Sequence, residues 1–172
     1  MDSPQVTRRS FATQLAALLP LSLLGRLRAV SARVQNPGIS RTAEAIHQEV
    51  TFKSPPSRLY EALLDEKQFA QVTGGQATTI DRNAGGALSL FGARIKGRNI
   101  ELVSNERIVQ AWRSEGWDHG VYSIVRFELK AEGTGTRLVF DHAGFPTGQA
   151  DHLASGWKSN YWDPLTRFLG GA

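Results

Sequence analysis

Three aspartate-histidine neighbours, Asp118-His119, Asp141-His142 and Asp151-His152, are where this sequence comes nearest to acid/base chemistry. An imidazole has an unperturbed pKa near neutrality, and a carboxylate can orient it as a general base. Asp141 and His142 fall in an alternating, strand-like segment, where adjacent side chains face opposite ways, so Asp141 cannot orient His142 from the next position. The other two pairs fall in loops or at a helix start, where Asp151 serves equally well as a cap. His142 is the best single candidate for a general base, because its strand register points it inward. The plainer account makes it a core histidine, hydrogen-bonded across its hairpin or to a packed helix. The four histidines are scattered and form no His-x-x-x-His pair, so no metal site is expected. With no cysteine there is no disulfide, thiolate nucleophile or thiolate ligand.

The elements that must position His142 lie in the last third of the chain. Ser123, Val125, Phe127 and Leu129 alternate onto one face of a strand. Glu132-Gly133-Thr134-Gly135-Thr136 follows as a turn whose glycines can take positive φ. The return strand places Leu138, Phe140 and His142 on one side. Leu153, Trp157, Tyr161, Leu165 and Phe168 then recur at helical spacing, which predicts one helix laying an aromatic face on the hairpin.

Upstream, Glu44 to Lys53 alternates as a first strand. Ser54-Pro55-Pro56 stops it and opens a helix, with Ser54 as the expected cap and Leu59, Tyr60, Leu63 and Leu64 as its buried stripe. A second short helix is expected over Glu66 to Val72, ending at Gly74-Gly75. Turn signals then recur at Asn83 to Gly86, Gly92-Ala93, Ser104-Asn105 and Glu115-Gly116. The short alternating runs between them predict an antiparallel meander. The fold class is therefore α+β: a curved antiparallel sheet of about six to seven strands around a long C-terminal helix, with two short helices after the first strand.

At 172 residues and 41% hydrophobic content, the chain suits one packed domain with an N-terminal extension. Of the formal charge of +4, residues 1 to 32 supply +3, from Arg8, Arg9, Arg26 and Arg28 against Asp2. The remainder, at +1, is nearly neutral with interspersed signs, which argues against a nucleic-acid footprint. The apolar stretch Phe11 to Gly25 is shorter than the roughly 20 residues a membrane span needs. A charged start, a short apolar run and the small residues Val30-Ser31-Ala32 follow the order of a cleavable export signal. Thr7-Arg8-Arg9-Ser10-Phe11 resembles the twin-arginine (Tat) motif. That resemblance implies export by the Tat translocase, cleavage after Ala32 and a periplasmic or secreted domain. A mitochondrial-type presequence and an ordinary surface helix are the alternatives. On the export reading the domains are 1–32 signal peptide, 33–42 linker and 43–172 folded domain.

The folded part resembles the helix-grip superfamily, SRPBCC, which includes START and Bet v lipid-binding proteins and polyketide cyclases. It is most similar to the branch called activator of heat-shock protein 90 ATPase homologue. The residues that carry this are Ser54-Pro55-Pro56 with Leu59 to Leu63, Gly85-Gly86, Gly97, Ile108 to Trp112, Gly135 to Leu138, His142 to Phe145, and Gly156-Trp157 followed by Leu165. The resemblance implies an apolar cavity between sheet and C-terminal helix. Left empty, a void of about 300 Å³ would cost roughly 7 kcal/mol, so side chains, water or a guest must fill it.

Two accounts of the aromatic residues stay open. In one they are simply core. In the other Trp112, Trp117, Phe127, Phe140, His142, Trp157 and Tyr161 line a pocket for a hydrophobic or aromatic small molecule, with no cofactor. Three further readings accompany it: a cyclase- or hydrolase-like enzyme using His142, a co-chaperone acting on an ATPase, and a self-associating module, as a homodimer through sheet edges or exposed helix.

Overall fold

The computed structural model describes residues 44–170. The export-signal residues Arg8, Arg9, Phe11 and Ala32 and the linker lie outside them. Strand β1 (Ala45–Phe52) is followed by helices α1 (Pro56–Leu64) and α2 (Glu66–Val72). Six strands come next: β2 (Thr79–Ile80), β3 (Ala87–Leu90), β4 (Ile95–Val103), β5 (Arg107–Ser114), β6 (Ser123–Glu132) and β7 (Gly135–Ala143). They form one antiparallel sheet in the order β1-β7-β6-β5-β4-β3-β2, a meander closed by the first strand pairing with the last.

The hairpin expected over the last third is present. In β6, Ser123, Val125, Phe127 and Leu129 are buried while Ile124 and Arg126 are exposed, the alternation that a half-covered sheet imposes. Of the two turn glycines only Gly133 takes positive φ, 59°. Gly135 is needed for closeness instead: a Cβ there would stand 2.3 Å from the Phe52 carbonyl oxygen of β1.

Ser54 does not cap α1. Pro55 occupies the cap position without a side-chain bond, and the Ser54 hydroxyl instead donates to the Leu169 carbonyl at 2.9 Å. Thr136 Oγ1 donates to the Ser54 carbonyl at 2.7 Å, so the loop before α1 joins β7 to the end of the chain. The proline-initiated helix has less need of a cap, because its first N–H is already absent.

The C-terminal helix is gripped by the sheet, but it is not uniform. It runs as α3 (Ala150–Trp157), a π-helical turn (Lys158–Trp162) and α4 (Asp163–Gly170). The Asp163 N–H donates to the Lys158 carbonyl, five residues back. Pro164 supplies the cause. It cannot donate to Asn160, and in α geometry its ring would collide with that carbonyl, a conflict that widening the preceding turn relieves. The wider turn brings both Tyr161 and Trp162 inward, at 4% and 5% exposure. Trp162 Nε1 donates to Gln48 Oε1 of β1 at 2.7 Å, and Gln48 Nε2 donates to the Ala154 carbonyl at 3.2 Å. Phe127, Phe140, Leu138 and Ile108 of the sheet pack against Trp157, Leu165 and Leu169 of the helix in one core with Leu59 and Phe69. Each fully buried side chain of this kind contributes about 1.5–3 kcal/mol.

Candidate functional site

A cleft of about 220 Å³ opens between the first half of the C-terminal helix and the β3–β4 end of the sheet. Its apolar wall is Phe91, Ile95, Trp112, Leu153, Trp157 and Tyr161. Arg94, Ser114, His152 and Asn160 complete it, with Gly156 leaving room on the helix. Leu153, Gly156, Trp157, Asn160 and Tyr161 follow helical spacing, so one helix face forms a whole side of the cleft.

Two tryptophans form its aromatic centre. Trp112 of β5 and Trp157 of α3 stack with ring centroids 4.7 Å apart and planes 29° from parallel. A chain of buried hydrogen bonds fixes Trp157. Its Nε1–H donates to His142 Nδ1 at 3.0 Å. His142 Nε2 meets Ser123 Oγ at 2.7 Å, and Ser123 Oγ donates to the Trp112 carbonyl at 3.3 Å. Because Nδ1 accepts, the proton of the neutral ring is assigned to Nε2, and every group in the chain is then paired. Burial holds the His142 pKa down, from 6.5 to about 4. Both ring nitrogens are engaged, and His142 is not part of the cleft wall. It is the buried histidine bonded both across its hairpin and to the helix, and it offers a guest no free nitrogen.

A second buried chain fixes Trp112. Its Nε1–H donates to Gln110 Oε1 at 3.0 Å, Gln110 Nε2 to Asn99 Oδ1 at 2.9 Å, and Asn99 Nδ2 to the Asp81 carbonyl at 2.7 Å. Asn99, 0% exposed, faces inward with Ile95 and Gly97 by the ordinary alternation of β4 and pairs in register with Gln110; the register shifts only beyond it, between Asn99 and Glu101, leaving Ile100 turned outward at 46% exposure.

At the mouth, Phe91, Gly92 and Ala93 carry consecutive positive φ values of 54°, 67° and 70°. A bulky residue in that region is a genuine outlier. The turn is held by Gly92 N–H donating to the Ala77 carbonyl at 2.9 Å and Glu115 N–H to the Arg94 carbonyl at 2.7 Å. It buries the Phe91 ring 5.7 Å from Phe69 and 5.4 Å from Tyr161, and leaves Arg94 at the rim.

Of the expected pocket residues, Trp112, Trp157 and Tyr161 meet in the cleft. Phe140 lies behind Trp157, at a centroid distance of 4.3 Å. Phe127 borders only a separate inner space of about 10 Å³, which Tyr161 and Gln110 also line. Trp117 is buried away from the cleft, its Nε1 donating to Gln149 Oε1 at 3.3 Å. Asp141 faces outward and receives His47 Nδ1 at 2.7 Å, as the strand alternation requires. Asp151 sits in the first turn of α3, one residue inside the helix start, and Gln149 holds the cap position. Among the described residues no three His, Asp or Glu side chains gather as a metal would need, and no helix is long and apolar enough to cross a membrane. Phe91, Arg94, Ser114, His152 and Asn160 are cleft residues that sequence reasoning missed. The helical spacing from Leu153 was the available signal for Asn160; Gly92-Ala93 marked the turn, while nothing local marks the left-handed conformation of Phe91 and Ala93.

An antiparallel sheet curled around a terminal helix, with an aromatic cleft between them, defines a helix-grip domain of the SRPBCC kind. Within that class, the chain belongs to the family described as activator of Hsp90 ATPase homolog 1-like protein, whose profile spans residues 53–170. A Dictyostelium discoideum protein named activator of 90 kDa heat shock protein ATPase homolog is 28% identical over 125 residues, which is 72% of this chain and 32% of that protein. The chain thus spans about a third of that relative. The structure of an HSP90 activator from Plasmodium falciparum superposes with a TM-score of 0.70 at 25% identity, covering 73% of this chain and 96% of that one. CalU16 from Micromonospora echinospora shares the fold, with a TM-score of 0.64 at 24% identity over 74% of this chain and 76% of its own.

Proposed function

We propose that this domain binds a hydrophobic or aromatic small molecule in the cleft between the C-terminal helix and the sheet. The observation that carries this reading is the stacked Trp112–Trp157 pair, exposed along one edge to a space of about 220 Å³ and fixed by two buried hydrogen-bond chains. Rigid aromatic walls with a few polar groups at the rim are what a small-ligand site requires. The enzyme reading that uses His142 as general base has less support, because both nitrogens of that ring are committed elsewhere and it does not line the cleft.

Thermal stabilisation by a panel of apolar aromatic compounds tests the reading, with Gly156→Leu as the control. A Cβ at Gly156 meets nothing closer than Asn160 Nδ2 at 3.8 Å, so a larger residue there fills the cleft without disturbing the core. Compounds should raise the melting temperature of the parent protein and leave the variant unmoved. No shift for any compound, or equal shifts in both proteins, overturns it.

The names of the relatives support a second reading, stimulation of an Hsp90-type ATPase. The test is an ATPase assay and a pull-down with that chaperone, and absence of both binding and stimulation removes it. The twin-arginine segment around Arg8 and Arg9 supports export to the periplasm or beyond, where that cytoplasmic chaperone is absent. Full-length protein confined to the cytoplasm would end the export reading.

A further inference from the structure

We propose that the guest is a small planar aromatic acid, its ring lying against Trp112 and Trp157 and its carboxylate on the Arg94 guanidinium. This rests on the small-molecule reading above and narrows it to a chemical class.

Arg94 is the one arginine or lysine in the cleft lining, and no aspartate or glutamate accompanies it there. Elsewhere on the domain Arg82, Arg107, Arg126 and Arg137 pair with Glu61, Glu101, Glu128 and Glu49, while Arg113 bonds only the Asp118 and Trp117 carbonyls and lies outside the cleft lining. Among the described residues Arg94 has no carboxylate partner. Its Nε donates to the Phe91 carbonyl at 3.2 Å and its Nη2 to Gln76 Oε1 at 2.8 Å. Those two neutral acceptors set the plane of the guanidinium and leave Nη1 and the second Nη2 hydrogen to donate, the fork that a carboxylate matches.

The backbone that presents this group is itself in an unfavourable state. Three successive left-handed residues, Phe91 to Ala93, deliver an aromatic wall and a cation to the same mouth. Backbone strain of this kind clusters at ligand clamps. The cleft volume of about 220 Å³ is below the roughly 300 Å³ at which drug-sized pockets begin, which limits the guest to one or two rings.

The test compares 2-naphthoate with 2-naphthamide, of the same shape but uncharged, by tryptophan fluorescence titration of the full-length protein. The acid should bind about tenfold more tightly at low salt, as a hydrogen-bonded charge implies, and the preference should shrink as salt screens it. Arg94→Gln should abolish the preference while retaining amide affinity, and Arg94→Lys should keep part of it. Should Arg94→Gln fail to fold, the salt dependence and the lysine variant decide. Equal affinity for acid and amide, or a preference that survives Arg94→Gln, overturns the proposal and leaves the small-molecule reading standing. Binding of neither compound, with no other apolar compound shifting the melting temperature, overturns both.

Discussion

The rings of Trp112 and Trp157 lie 4.7 Å apart, and each indole N–H ends in its own buried side chain, Gln110 for the first and His142 for the second. One tryptophan belongs to the sheet and the other to the helix. The stack is thus the point where the two layers are registered against each other, and its edge faces the cleft.

Trp157→Phe keeps an aromatic ring but removes the donor to His142, leaving a buried lone pair unpaired and a space where the second ring stood. The expected loss is about 2–4 kcal/mol, read from urea denaturation. A loss under about 0.5 kcal/mol would mean that the bond to His142 contributes little.

His142 gives stability a pH dependence of definite sign. Its folded pKa, about 4, lies below the ordinary 6.5, so below pH 6.5 the unfolded chain takes up a proton that the folded one refuses. The contribution is complete above the unfolded pKa. It falls by about 1.4 kcal/mol per pH unit as pH drops toward the folded pKa, roughly 3 kcal/mol in all. His142→Gln can still accept from Trp157 and donate to Ser123 without titrating, so its stability curve should be flatter over that window. Parallel curves for the two proteins would contradict the assignment.

Ala93 occupies φ 70°, which glycine adopts without steric cost. Ala93→Gly should raise stability by about 0.5–1 kcal/mol, seen as a higher urea midpoint at an unchanged slope. A lower midpoint would show the left-handed turn to be unstrained.

The Tyr161 hydroxyl is buried with no protein partner, and burial pushes its pKa well up. Tyr161→Phe deletes that unpaired group while keeping the ring against Phe69 and Phe91, so the unliganded protein should gain about 1 kcal/mol. A loss of stability would reveal a bridging water in the 10 Å³ space that Tyr161 shares with Gln110.

Much of the fold was legible because β6 alternates cleanly and buries one face, and the side chains of β7 do the same apart from Val139, so period and burial agree. Trp112, Trp157 and Tyr161 could be placed together for the same reason. The missed features are ones that tertiary context decides against local preference. Phe91 adopts a conformation its own side chain disfavours, because its ring is held between Phe69 and Tyr161. Asn99 is a polar residue on the inward face of β4, buried because Gln110 and the Asp81 carbonyl satisfy it, a pairing that its residue type does not announce. Ser54, a good cap by type, is drawn instead to the far end of the chain. Pro164 was a visible signal, and the interrupted helix follows from it.

The wide turn around Lys158–Trp162 has a geometric consequence for how this domain could diversify. In an ordinary helix, neighbours are about 100° apart, and the wider π turn brings Tyr161 and Trp162 closer in direction. With the extra residue, one serves the open hollow while the next seals the interior on Gln48. A descendant that lost a residue here would have to re-aim its floor and its seal together. Substitutions at 153, 156 and 160 can remodel the chamber while Trp162, Leu165 and Leu169 stay as they are.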